Sequence, residues 1–308
     1  MNSGPPLPII NIGACSRGTR QRSAATQAVT DALTQSGFMY ITGHGIDAVL
    51  LERAFAAMRR FFGRTHEFKS RYAYSDIDAN FGYQTIETER LDPRSMPDLK
   101  ESFTMRNALE HADETARWPE GDFRDVALAL YAAGLGAAYR VMELLAACLE
   151  LPAGFFAQRH RGENVTLRFL HYPAGLLPSS SAQLGAGAHT DYGSITLLFQ
   201  DEVGGLEVQR ADGAWQPAPP VQGAALVNTG DLMERWTNGR FRSTVHRVPP
   251  ISGTRDRHSI ALFVDPDAAV EVKCFESCVS SDRPPRYPGI TAGEHIRRKL
   301  AATNEGIK

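Results

Sequence analysis

The chain has 308 residues, enough for one large domain or two modest ones. Hydrophobic residues make up 43% and charged residues 22%, which excludes a disordered or low-complexity protein. Formal charge is −2, from 33 basic and 35 acidic residues, so the electrostatics support neither a nucleic-acid partner nor a polybasic membrane contact.

The first twenty residues carry no apolar leader and no 18-residue apolar run follows. A cytoplasmic protein without a membrane span is therefore expected. The four cysteines fit a reducing compartment. Cys148 reads as core, and the Cys274/Cys278 pair lacks a second pair to complete a zinc site.

In chain order, residues 8–12 read as a short strand. Thr26–Ser36 reads as a helix carrying Val29, Ala32 and Leu33 and ended by Gly37. Phe38–Thr42 is strand-like. Asp47 then caps a helix with Leu51, Phe55, Met58 and Phe62 on one face. Residues 72–120 are polar, with Gly82, Pro93 and Pro97, and are expected to form an irregular lid or binding loop. Leu128, Tyr131, Leu135, Ala138, Met142, Leu145 and Leu149 mark a third helix, stopped at Leu151-Pro152.

After residue 164 short apolar runs appear at 165–172, 194–199, 205–209, 224–228, 244–248, 259–264 and 270–275, separated by turn signals such as Asp212-Gly213 and Asn238-Gly239. This pattern predicts a sandwich or barrel, with a last helix over 284–301. The expected organisation is a single catalytic domain. A helical or mixed N-terminal extension (1–160) precedes a β core with the metal site (161–280), and a C-terminal helix (281–308) closes the chain.

Chemistry concentrates in this β-rich part. His189-Thr190-Asp191 precedes a strand, and His246 lies on another. Two neutral imidazoles and a carboxylate form a facial triad suited to iron(II), with positions left open for substrates, although zinc would accept the same ligands. Roughly one chain in two of this size carries a His-x-Asp pair by chance. His111-Ala112-Asp113 is such a pair, and its acidic surroundings mark it as solvated surface.

Arg257 and Ser259 share a strand face and are suited to hold a carboxylate, and Tyr172 offers another donor. His171 and His258 alternate with these residues and are expected to face away. His44, between two glycines, reads as a turn residue. Lys100-Glu101 reads as structural ion pairing. Tyr83, Phe103, Met105, Phe199 and Asn228 are candidate substrate contacts.

Residues 165–266 resemble the core of iron(II)- and 2-oxoglutarate-dependent dioxygenases, in the subgroup of isopenicillin N synthase and the plant flavonoid and gibberellin oxygenases. The matching strings are LRFLHYP (167–173), GAHTDYGSITLLFQDEVGGLEV (187–208), GAALVNTGDLMERWTNGRFRSTVHRV (223–248) and RHSIALFVDP (257–266). FMYITGHGI (38–46), DLKESF (98–103) and YPGITAGEHI (287–296) extend the resemblance over nearly the whole chain.

The resemblance implies a mainly β protein, a double-stranded β-helix or jelly roll flanked by helices. It implies iron ligands at His189, Asp191 and His246, and 2-oxoglutarate contacts at Arg257, Ser259 and Tyr172. Arg168 stands where relatives often place a basic residue and is a further cofactor-binding candidate. Leu170 departs from the Asn common in plant members. The implied activity is oxidation of a small molecule by O2 with release of succinate and CO2, with ascorbate as a reductant. Two alternatives are an iron oxidase of the same fold that does not use 2-oxoglutarate and a non-enzymatic binding protein on the jelly roll.

Overall fold

The computed structural model describes residues 6–13, 19–74, 79–92, 95–176, 178–180 and 182–304. Pro93, and residues 1–5 and 14–18 of the segment read as lacking a leader, lie outside the described residues.

The N-terminal part alternates strand and helix: β1 (Ile9–Asn11), α1 (Thr19–Gln35), β2 (Phe38–Thr42), α2 (Ala48–Phe62) and α3 (His66–Ser70). Next come β3 (Phe81–Gln84), β4 (Glu101–Arg106) and the long α4 (Phe123–Cys148). Strands then dominate, through β5 (Val165–Tyr172), β6 (Ala186–His189), β7 (Ile195–Gln200), β8 (Glu207–Gln209), β9 (Trp215–Pro217) and β10 (Ala225–Thr229). The short α5 (Asp231–Trp236) precedes β11 (His246–Val248), β12 (Arg257–Val264) and β13 (Glu271–Val272). β14 (Ile290–Thr291) and α6 (Ala292–Asn304) complete the elements.

The major sheet has the order β1-β2-β10-β7-β12-β5-β4-β3, and the minor sheet β6-β11-β8-β9. Together they form the jelly roll. β13 and β14 make a separate ribbon. Four of the eight major-sheet strands come from the first 160 residues, so the N-terminal extension builds the sheet as well as covering it.

Local chemistry sets the boundaries. Asp47 accepts from the Val49 and Leu50 amides and starts α2. Gly37, at φ +72°, turns the chain out of α1, and its amide donates to the Ala32 carbonyl at 3.1 Å. Residues 72–120 contain β3 and β4, against the expectation of an irregular stretch. β4 pairs antiparallel with β5 from Glu101 opposite His171 to Arg106 opposite Thr166. The last helix begins only at Ala292, because Pro284, Pro285 and Pro288 cannot donate the amide bonds of a helix interior.

Side-chain alternation splits the major sheet into two faces. Val165, Leu167 and Phe169 of β5, Ile260, Leu262 and Val264 of β12, and Ile195 and Leu197 of β7 join the main apolar core with the helices. The alternate residues face the minor sheet and line a cavity between the two. α4 packs on α1, α2, β7 and β12. By length and composition alone α4 is apolar enough to cross a membrane, contrary to the expectation of no such run; here its buried residues, among them Leu130, Val141 and Leu145, belong to the core.

Candidate active site

His189 and His246 are cross-strand partners on β6 and β11, with ring centroids 4.3 Å apart. Asp191 follows just beyond the end of β6. One ligating atom from each of the three lies within 4.8 Å of the others. Asp191 Oδ1 is 3.9 Å from His189 Nε2 and 3.7 Å from His246 Nε2.

Each group is oriented from behind. His189 Nδ1 donates to the Gly187 carbonyl at 2.7 Å, and His246 Nδ1 donates to the Thr244 carbonyl at 3.1 Å. A carbonyl only accepts, so each Nδ1 carries a proton and Nε2 is the nitrogen of each ring turned to the centre. Asp191 Oδ2 accepts from Thr196 Oγ1 at 2.5 Å and Asn228 Nδ2 at 2.7 Å, which leaves Oδ1 for the centre. Burial, reinforced by the neighbouring His246 ring, holds the His189 pKa far below its ordinary value. The imidazole is therefore neutral, the form that ligates. Two neutral nitrogens and one carboxylate oxygen, each with a second hydrogen bond, fit a divalent iron and leave coordination positions open.

A second constellation lies on β12 and β5. Arg257 is almost wholly buried, and its register partner is Tyr172. Its guanidinium donates to the Gly204 carbonyl, to Ser259 Oγ at 2.9 Å and to Gln200 Oε1 at 3.0 Å, and it stacks 4.5 Å from the centre of the Tyr172 ring. All of these partners are neutral. Among the described residues no carboxylate lies within ion-pair distance of it. A buried cation without a counter-charge is costly, and this one lines the cavity that holds the triad. The arrangement is suited to an anionic ligand.

Arg168 also lines the cavity, but its donors are committed elsewhere. It makes a two-pronged pair with Glu89 at 3.1 and 3.0 Å and further bonds to Thr104 and Ser102. The expectation that it contacts the cofactor is corrected on this ground. It is instead one end of a relay. Glu89 also pairs with Lys100 at 2.9 Å, Lys100 with Asp98, and Asp98 Oδ1 accepts from the Gly187 amide at 2.9 Å, whose carbonyl orients His189. Burial alone would raise Glu89, yet Arg168 and Lys100 hold its carboxyl far below the ordinary range.

Four of the five proposed substrate contacts lie away from the cavity. Phe103 and Met105 are fully buried in the helix-facing core, where Phe103 packs edge-on to Phe61, Phe81 and Phe123. Tyr83 sits in the same core and donates to Glu101. Phe199 packs against His44 on that face. Their strand positions send them away from the minor sheet. Asn228 does line the cavity, where it holds Asp191.

His171 and His258 point to the far face and stack on each other, paired with Glu101 and Asp201 respectively. His111 pairs with Glu114, away from the triad. His44 Nδ1 accepts from the Ile46 amide within its turn. Missing from the sequence reading were Thr196, Gln200, Glu89 and Asp265. Asp265 lines the cavity beside Gly193, where a β-carbon would lie 1.3 Å from Asp265 Oδ1 and force a shift.

A jelly roll whose two sheets enclose a His-Asp-His cluster and a buried arginine defines the class of non-haem iron oxygenases. Comparison with known proteins agrees. Residues 161–266 match the 2OG-Fe(II) oxygenase superfamily, and residues 7–121 match the non-haem dioxygenase in morphine synthesis N-terminal family. The chain is 34% identical over 293 residues to the 2-oxoglutarate-Fe(II) type oxidoreductase hxnY of Emericella nidulans, covering 90% of this chain and 84% of that one. A full-length Neurospora crassa protein, solved in complex with alpha-KG and thymine, superposes with a TM-score of 0.85 at 28% identity, over 96% of this chain and 97% of that one. JOX2 in complex with 2OG, Fe and JA superposes with a TM-score of 0.83 at 25% identity, over 98% and 86%. The chain belongs to the 2OG-Fe(II) oxygenase superfamily, and it is a dioxygenase that uses iron(II) and 2-oxoglutarate. The relatives favour this reading over the oxidase that dispenses with 2-oxoglutarate.

Proposed function

We propose that His189, Asp191 and His246 ligate the iron, that Arg257 and Ser259 bind the distal carboxylate of 2-oxoglutarate beside Tyr172, and that the enzyme oxidises a small organic molecule. The observation that carries this is Arg257, a buried cation with only neutral partners, lining the same cavity as the triad. A carboxylate there gains paired charge-assisted hydrogen bonds from the guanidinium and the serine hydroxyl.

When bound, iron(II) would let O2 act as the oxidant for hydroxylation, desaturation or ring formation, with 2-oxoglutarate giving up two electrons as it breaks down to succinate and CO2. The protein's own residues do the positioning. Gln200 and the Gly204 carbonyl hold Arg257 at a fixed angle. Thr196 and Asn228 hold Asp191, and the Gly187 and Thr244 carbonyls hold the imidazoles. A fixed clamp sets the approach of the reacting end of the co-substrate. Leu170, Leu198, Leu206 and Ala261 give the cavity an apolar lining that limits water. The Neurospora crassa protein is described with thymine and JOX2 with JA, and both cases support a small-molecule substrate.

The test is binding followed by product analysis. Metal-free protein should take up one iron(II) and then 2-oxoglutarate, and form succinate when a substrate is supplied. Iron uptake with no 2-oxoglutarate binding would overturn the clamp assignment.

A further inference from the structure

The turn that leaves β7 is tied back to the strand that carries Arg257. Gln200, the last residue of β7, lies opposite Ser259 of β12. At the next position the Asp201 amide donates to the His258 carbonyl at 3.1 Å. In a regular antiparallel pair the His258 amide would return a bond to the Asp201 carbonyl. Here it donates to Asp201 Oδ2 instead, at 2.6 Å. The Asp201 carbonyl is thereby released from the sheet. It accepts from the Gly204 amide at 3.3 Å and closes the turn 201–204. Inside that turn Asp201 Oδ1 accepts from the Val203 amide at 3.1 Å.

The turn ends on the clamp arginine. Gly204 has φ +69°, and its carbonyl accepts from Arg257 Nε. A β-carbon at Gly204 would lie 3.0 Å from Pro220 Cδ, in a backbone region that favours glycine. One buried carboxylate thus holds residue 258 by its main chain, while the turn it shapes holds residue 257 by its side chain. Asp201 Oδ2 also lies 3.4 Å from His258 Nδ1, on the sheet face away from the cavity. The guanidinium's side-chain partners are Ser259 and Gln200, so the hold of Asp201 on it runs through the Gly204 carbonyl. A guanidinium is a rigid plane, and fixing Nε fixes the direction of its remaining donors.

We propose that Asp201 is a positioning residue for 2-oxoglutarate: its carboxylate pins the turn 201–204 to β12, and the turn's last carbonyl, that of Gly204, sets the angle at which Arg257 meets the co-substrate. This rests on the reading of Arg257 as the clamp. It assigns a binding role to a carboxylate that lies on the opposite face of the sheet from the co-substrate.

The experiment titrates 2-oxoglutarate by calorimetry into anaerobic protein loaded with iron(II). Asp201→Ala should weaken 2-oxoglutarate about tenfold and leave iron(II) affinity unchanged. Asp201→Asn should restore most of the loss, because its amide oxygen still accepts from the His258 amide. Gly204→Ala should reproduce the loss from the other end of the turn, and it decides the matter where Asp201→Ala does not fold. In an Arg257→Gln background Asp201→Ala should change 2-oxoglutarate affinity by less than about twofold, since a residue that acts through Arg257 has nothing left to act on. A second readout needs no co-substrate. In the metal-free protein the Arg257 Nε–H resonance, assigned by its loss in Arg257→Gln, should exchange slowly with water, and faster in Asp201→Ala and Gly204→Ala. Wild-type affinity in both variants, an equal loss with and without Arg257, or an unaltered Nε–H exchange overturns the assignment. An Arg257→Gln protein that binds 2-oxoglutarate as the wild type does overturns the clamp itself, a result the double variant and the resonance distinguish from failure of Asp201 alone.

Discussion

Asn228 Nδ2 donates to Asp191 Oδ2 at 2.7 Å, across from Thr196 Oγ1 on the same oxygen. One carboxylate oxygen is thus held by two neutral donors from neighbouring strands β10 and β7, and the other is turned toward two imidazole nitrogens. The carboxylate arrives at the centre already oriented.

Loss of either donor should therefore loosen the metal site without touching a ligand. Thr196→Val and Asn228→Leu should each weaken iron(II) affinity by roughly ten- to a hundredfold. Competition against a chromophoric chelator measures this. Unchanged affinity in both variants would mean that Asp191 needs no support.

Arg257→Gln keeps a hydrogen-bonding side chain and removes the charge. Binding of 2-oxoglutarate should weaken by about a hundredfold, roughly 3 kcal/mol, while iron(II) affinity stays the same. Equilibrium titration of the iron-loaded protein separates the two. A matching loss of iron affinity would show that the clamp and the triad do not act independently.

Phe103 packs in the aromatic core and not at the cavity. Phe103→Ala should cost about 3–5 kcal/mol of stability by urea unfolding. The protein that remains folded should bind 2-oxoglutarate as tightly as the wild type. A stable variant with impaired binding would return Phe103 to the cavity.

Acid sensitivity follows from the ion pairs on the far face of the sheet. Burial alone would raise Glu101 and Asp201. Hydrogen bonds from His171, Lys69 and Tyr83 to Glu101, and from His258 and backbone amides to Asp201, outweigh it and depress both carboxyls. A depressed carboxyl contributes stability that is fully present above its unfolded pKa of about 4 and is lost as pH falls through the folded value. Urea midpoints should hold above about pH 5 from this source and decline below about pH 4. Glu101→Gln should lower stability at pH 7 by about 3 kcal/mol, because Lys69 loses its buried partner, and should shrink the acid decline. An unaltered acid decline would assign it to other groups.

The residues legible in the sequence were those whose strands were legible. The apolar run 165–172 has a clear alternation, so Tyr172 could be set on one face and His171 on the other, as the structure has them. His189, Asp191 and His246 stand out because their residue types suit a metal and their strings match a family. Phe103, Met105 and Tyr83 were misplaced because β3 and β4 lie in a polar, proline-interrupted stretch that hides their strand period. Once β4 pairs with β5, Phe103 faces the core and Arg106 the cavity. Phe199 is different, since its strand was recognised and its parity with Ile195 and Leu197 already pointed to the core. The Arg168–Glu89–Lys100–Asp98 relay was hidden because its members meet only through tertiary pairing.

The most direct measurement is an anaerobic titration of metal-free protein with iron(II) and then 2-oxoglutarate, following the weak visible charge-transfer band of the chelate. A saturable band at one equivalent of iron is expected, lost in Asp191→Ala and in His246→Ala, and requiring much more 2-oxoglutarate in Arg257→Gln. A band that survives intact in Asp191→Ala, or iron uptake without any band in the wild type, would contradict that expectation.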